Sequence, residues 1–241
     1  PDKLAVEDSF GHRFTYGELK RTVDRFASAL KYRYGVRKGD HAALMMYSCT
    51  EFSVAFLALV KLGAIAVMLP TKYRKKEICA LVGKSDLRYV ICDTDYSSYF
   101  EDYRQTNIVF LEYHSGTGCF GLDAFLKADD PEAKMKGTYE DISVMMFTSG
   151  TTSLSKGVLI TNYGYLHAVA TYQKVFRITE RDSTVIPVPI YMITGLSALF
   201  GLLMYSGGTV YFQQFFKAED VLACIQEKQV TFIHAAPTVY Q

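Results

Sequence analysis

The sequence has almost no excess of either charge: 26 Lys and Arg oppose 25 Asp and Glu, a formal net charge of +1. That balance excludes the strong field with which basic proteins collect on nucleic acid or anionic membranes. The short basic run Lys72, Arg74, Lys75 and Lys76 reads as a solvated helix face. Cysteine is sparse, and Cys49, Cys79, Cys92, Cys119 and Cys224 are scattered with no CxxC pair. An odd, dispersed set excludes a disulfide framework and a zinc site of the usual spacing. Reduced thiols of this kind fit a cytoplasmic protein. Long apolar runs are missing too. Phe52–Val60 is broken by Lys61, so nothing reaches the length of a membrane span. The opening Pro1-Asp2-Lys3 starts no secretory pattern. There is no internal repeat, and His12, His41, His114 and His167 form no discernible constellation.

What is present belongs to an ordinary globular chain. Hydrophobic residues make up 49% and charged residues 21% of 241, enough to bury a sizeable core. Thr15 and Glu18 have capping-box spacing, and Leu19, Val23, Phe26 and Leu30 follow at helical intervals up to a stop at Gly35. The continuous apolar run 42–47 predicts a buried strand, and short strands are expected at 65–69, 88–92, 142–147, 184–188, 209–212 and 231–234. Amphipathic stretches at 51–62, 74–84, 162–175, 194–205 and 218–228 predict helices, the first of these ended by Gly63. Strands alternating with helices imply βαβ units. The expected fold class is therefore α/β, with mostly parallel sheets flanked by helices. A weaker stretch, 93–140, carries loop signals and suggests two lobes, roughly 1–140 and 141–241.

The most informative segment follows the strand 142–147 directly and reads TSGTTSLSKGV, Thr148 to Val158. Gly150 lets the backbone turn and approach a ligand. The hydroxyls of Thr148, Ser149, Thr151 and Thr152 are donors, successive N–H groups in such a turn can form a concavity for an anion, and Lys156 adds a positive charge. The segment has the makings of a polyphosphate cradle. The Walker-type P-loop is its rival, since Gly150 and Lys156 have the right separation. That motif needs Gly before its Lys and Ser or Thr after it, however, whereas this chain has Ser155 and Gly157.

The same segment resembles the phosphate-binding signature TSGTTGxPKGV of the adenylate-forming superfamily, which contains acyl-CoA synthetases, nonribosomal adenylation domains and luciferases. Ser153 and Ser155 stand where that pattern has Gly and Pro. Collinear stretches agree: Phe14–Leu19 with TYxEL, Ala58–Pro70 with LAxxKxGAxxxPL, Pro187–Leu196 with PLPLFHxxGL, and Val230–Thr238 with VTxxxxVPT. Met192 replaces the His often found in the third of these.

The resemblance implies an acid–thiol ligase, most like an acyl-CoA synthetase. It would join a small-molecule carboxylic acid, with a fatty acid the first choice, to ATP and then to coenzyme A. Thr148, Ser149, Gly150, Thr151, Thr152 and Lys156 would hold the ATP phosphates. Thr152 and Lys156 would lie nearest the reaction, with Mg2+ near Thr152. Tyr191, Met192, Gly195 and His234 would border the acyl pocket, although each also has a plain packing role open to it. Two alternatives remain open, an adenylation domain loading a carrier protein and a non-catalytic nucleotide-binding relative. The family's YGxTE segment, TGD aspartate, hinge and small C-terminal domain are not among these residues. The expectation is thus a truncated N-terminal AMP-binding domain, 1–241, inactive alone and prone to self-association through an uncovered strand edge.

Overall fold

The computed structural model describes residues 1–116, 120–127, 130–148 and 155–240. Two compact units emerge, and both are discontinuous in sequence: residues 1–20, 47–50 and 164–241 form one, and 21–46 and 51–163 the other. The expected boundary between 140 and 141 falls inside the second unit.

The second unit is built on a six-stranded sheet. Its strands are β3 (His41–Met45), β4 (Ile65–Met68), β5 (Leu87–Asp93), β6 (Val109–Tyr113), β7 (Ile142–Phe147) and β8 (Gly157–Thr161), in the order β6-β5-β3-β4-β7-β8. Every neighbouring pair is parallel except β7 and β8, which are antiparallel. Strands covered on both faces need continuous apolar sequence, and β4, IAVM, is buried at every position. Met45, Val67, Leu69, Ile78, Val90 and Phe100 pack into one core on this sheet, each fully buried side chain stabilising the fold by about 1.5–3 kcal/mol. Helices α2 (Thr50–Leu62) and α3 (Lys75–Val82) make the crossovers β3–α2–β4 and β4–α3–β5. Lys75 of the basic run meets Glu101 and Asp102 at 3.6 and 3.5 Å. Cys92 is fully buried, and burial pushes its thiol up to about 12, so it stays protonated and inert.

The first unit holds a four-stranded sheet in the order β2-β1-β10-β9, from β1 (Leu4–Asp8), β2 (Arg13–Thr15), β9 (Ser183–Ile186) and β10 (Thr209–Phe212). The β1–β10 and β10–β9 pairs are parallel and β1–β2 is a hairpin. Asp8 ends β1 with a buried carboxylate. It accepts the N–H groups of Phe10 and His12 at 3.0 Å and the Thr50 N–H and hydroxyl at 2.9 and 2.7 Å. The remaining helices are α1 (Tyr16–Tyr32), α4 (Asn162–Phe176), α5 (Leu202–Ser206) and α6 (Ala218–Lys228). The expected capping box opens α1: Thr15 N–H donates to Glu18 at 2.8 Å and Glu18 N–H to Thr15 Oγ1 at 3.2 Å.

Four differences from the sequence expectation bear on function. First, residues 157–161 form β8, a strand hidden in the pattern because its side chains are largely exposed. Second, the weaker stretch 93–140 contributes β6 to the sheet instead of only linking two lobes. Third, the stretch expected as one helix, 194–205, is a π-helix over Thr194–Gly201 that runs into α5. Fourth, the strand expected at 231–234 is reduced to one bridge, Thr184 to Phe232. Among the described residues no helix is long and apolar enough to cross a membrane. The four cysteines described form no disulfide among the described residues, and Cys119 lies outside them.

The helix stops Gly35 and Gly63 both have φ of +73°, where a side chain costs about 1–2 kcal/mol. They differ in room. A Cβ at Gly35 would meet nothing nearer than the Tyr89 hydroxyl at 4.0 Å, whereas one at Gly63 would sit 3.1 Å from Lys38 Cγ and 3.3 Å from the Gly137 nitrogen. Gly63→Ala is therefore expected to destabilise the second unit by at least about 1 kcal/mol more than Gly35→Ala. Urea unfolding of the two variants checks this, and equal midpoints would contradict it.

Candidate active site

Strand β7 leads into Thr148, the first of the phosphate-loop candidates. It carries ISVMMF, buried at its four central positions, to the carboxyl end of a parallel sheet. In open α/β sheets this is the end where ligands bind. The chain then returns antiparallel as β8, with Phe147 opposite Gly157. This register sets Thr148 and Lys156 across from each other at the neck of the loop. Thr148 N–H donates to the Lys156 carbonyl at 3.1 Å, and Lys156 N–H donates to Thr148 Oγ1 at 3.4 Å. Both residues are exposed. Ser149, Gly150, Thr151 and Thr152, with Ser153, lie outside the described residues.

A second cation stands at this neck. Lys84, two residues beyond the end of α3, donates from Nζ to the Ser155 carbonyl at 3.4 Å. Local sequence gives no sign of this. Lys84 is separated from Ser155 by 71 positions, and only the folding of α3 against the sheet carries it there. The neck thus combines the Thr148 hydroxyl, the Lys84 ammonium and the end of a parallel strand, with the exposed Lys156 opposite, a setting suited to an anion.

The acyl-pocket candidates belong to the other unit. Pro189, Tyr191, Met192 and Gly195 form a tight turn into the π-helix. Met192 N–H donates to the Pro189 carbonyl at 3.0 Å, and Leu196 N–H to the Met192 carbonyl at 2.9 Å. Gly195 is required here by space, since a Cβ would lie 2.8 Å from the Pro189 oxygen. Met192 and Ile193 are half exposed, at 51% and 49%. His234 is only partly buried and sits among rings of α4, with centroids 6.2 Å from both Tyr172 and Phe176. Its neighbours are aromatic, the surroundings of a packing or pocket-lining group.

His114 is less isolated than its sequence position indicates. His114 Nδ1 lies 3.8 Å from Asp93 Oδ1, and Asp95 completes a group whose ligand-capable atoms are within 4.8 Å of one another. Asp93, however, already accepts the Asp95 N–H at 2.9 Å and the Ser115 N–H and hydroxyl at 2.9 and 2.5 Å. The first of these bonds makes it an N-cap for the turn that follows β5, and the other two tie it to Ser115.

Known proteins similar to this chain share one family. The pattern of the AMP-binding enzyme family matches residues 1–241. A 2-succinylbenzoate–CoA ligase of Bacillus velezensis is 31% identical over 99% of this chain and 47% of its own length. A long-chain-fatty-acid–CoA ligase of Mycobacterium tuberculosis is 28% identical over 97% of this chain and 46% of its own. The o-succinylbenzoate coenzyme A synthetase of Bacillus subtilis, solved with ATP and magnesium ion, superposes with a TM-score of 0.84 at 28% identity. That alignment covers 100% of this chain and 61% of that one. The chain thus spans about half the length of the curated relatives it matches.

The Thr148 hydroxyl is the acceptor that holds the Lys156 amide. Thr148→Val should raise hydrogen exchange at that amide by about two- to tenfold, the size of one net hydrogen bond, while amides of β4 keep their protection. Unchanged exchange at Lys156 would show that the neck closes without this bond.

Proposed function

The chain belongs to the AMP-binding enzyme family, and on that premise we propose that the full-length protein activates a carboxylic acid with ATP and passes it to coenzyme A. In the first step a carboxylate oxygen bonds to the α-phosphorus of ATP as the bond to pyrophosphate breaks. In the second, the thiol sulfur bonds to the acyl carbon, the bond from that carbon to the phosphate oxygen breaks with its electron pair leaving on AMP, and the thiol proton passes to solvent. ATP, with its Mg2+, supplies the electrophilic phosphorus and a good leaving group. The protein's task in the first step is electrostatic, because an anion must approach a more highly charged anion.

The observation that carries this reading is the β7–β8 hairpin. Thr148 and Lys156 stand at the two ends of one loop there, both exposed, at the carboxyl edge of the sheet. In this reading Lys156 neutralises the leaving pyrophosphate. Ser149, Gly150, Thr151 and Thr152 would hold the β- and γ-phosphates, and Thr152 would help hold Mg2+. Tyr191, Met192, Gly195 and His234 border the acid. The exposed Met192 and Ile193 support an acid with an apolar portion, a fatty acid first. The named relatives act on both aromatic and fatty acids, so the acid is a matter for a screen. Free cysteines support a cytoplasmic setting. The outer edge of β8, with Val158 and Leu159 exposed at 45% and 51%, supports self-association when this piece is isolated.

The test is pyrophosphate release from the full-length protein across a panel of carboxylic acids. Lys156→Ala is expected to lower the acid-dependent rate by about 100- to 1,000-fold. The 241-residue piece alone is expected to show none of that rate. Wild-type rates in Lys156→Ala, or acid-dependent release from the isolated piece, would each reject its part of the reading.

A further inference from the structure

The π-helix at Thr194–Gly201 has a visible cause. Runs of this geometry are rare, mostly single-turn, and frequent at functional sites, and this one extends over eight residues. Gly195 through Gly201 are all buried along it, including the Ser197 hydroxyl, which finds no hydrogen-bond partner among the described residues. Tyr165 enters this segment from α4. Its ring is partly exposed, but its hydroxyl end lies inside the protein, where desolvation raises the phenol pKa and keeps the proton on oxygen. That hydroxyl donates to the Leu196 carbonyl at 2.7 Å.

Space for the hydroxyl comes from Gly201. A Cβ there would overlap the Tyr165 hydroxyl oxygen and lie 2.9 Å from its Cζ and 3.1 Å from the Leu196 oxygen. Tyr165 and Gly201 are therefore complementary, the one filling what the other leaves empty. The Leu196 peptide passes the constraint on. Its carbonyl holds Tyr165, its N–H donates to Met192, and Met192 N–H donates to Pro189. A hydrogen-bonded chain runs from the Tyr165 hydroxyl to the turn that carries Tyr191 and Met192.

We propose that Tyr165, seated against Gly201, is a positioning residue that holds the Leu196 π-turn and thereby sets the wall selecting the carboxylic acid. The inference rests on the acid-pocket assignment made under the proposed function. Tyr165 touches neither ATP nor the reacting atoms in this scheme. Its removal acts on acid recognition and leaves nucleotide binding alone.

The experiment uses the full-length protein and the acid panel. Wild type is measured first: if no acid elicits pyrophosphate release, the proposed function itself fails, and this inference falls with it for that separate reason. Given an active wild type, Tyr165→Phe is expected to raise KM for the preferred acid by about five- to tenfold, the loss of one hydrogen bond. It should also change the ranking of acids, with KM for ATP held within about twofold. Gly201→Ala keeps the phenol but displaces it, and should reproduce the same shift. The double variant should be no worse than the more affected single one, since both break one contact. A folded Tyr165→Phe with unchanged acid KM and ranking, or with acid and ATP KM raised alike, would overturn the proposal. So would two single variants that both fail to fold, which would assign the pair to stability alone.

Discussion

The antiparallel pairing of β8 with β7 is the constraint on which the candidate phosphate site depends. Without it, a hydroxyl-rich segment leaving a buried strand would be an open connection, and Thr148 and Lys156, eight positions apart, would have no fixed separation. The register that sets Phe147 opposite Gly157 brings the two ends of the loop within hydrogen-bond reach. The pairing is affordable because β7 is anchored on its other side by β4. A two-stranded ribbon alone is marginal in water, but a strand added to a buried sheet inherits its order. The exposed side chains of β8 are the consequence of its position at the sheet edge.

A comparable division of labour operates in the other unit. The turn at Pro189–Met192 has little regular structure of its own. Its geometry is fixed by bonds into the first π-turn, which in turn depends on a tyrosine from α4 and the absence of a side chain at Gly201. Turns of this kind are rare, and a side chain inserted into the helical ladder is one cause of departure from α geometry. Tyr165 serves as that group here. Rigid neighbours thus shape a segment that local propensity would have left as plain helix.

Much of the fold was legible from residue pattern. The apolar runs at β3, β4, β5, β7 and β10 are strands because parallel sheets bury both faces, and that burial writes itself as uninterrupted hydrophobic sequence. The capping pair Thr15 and Glu18 and the left-handed stops Gly35 and Gly63 mark helix ends through purely local chemistry. What stayed hidden was whatever depends on a partner. Residues 4–8 became β1 by pairing with β10, about 200 positions away. Val109–Tyr113 became β6 only beside β5, and Gly157–Thr161 became β8 only beside β7. At 231–234 the opposite happened: an apolar run suited to a strand forms a single bridge to β9.

The sequence by itself determined the α/β class, the order of most strands and helices, and the family, since these rest on periodicity and on a short motif whose residue types are specific. Tertiary structure decided the rest. It carried Lys84 to the loop neck across 71 positions, gathered His114 with Asp93 and Asp95, and turned 194–201 into a π-helix around Tyr165. It also cut the compact units across the chain instead of along it. The physical reason is the same throughout: burial and backbone capping leave local signatures, whereas a contact between distant residues is specified only when the whole sheet has assembled.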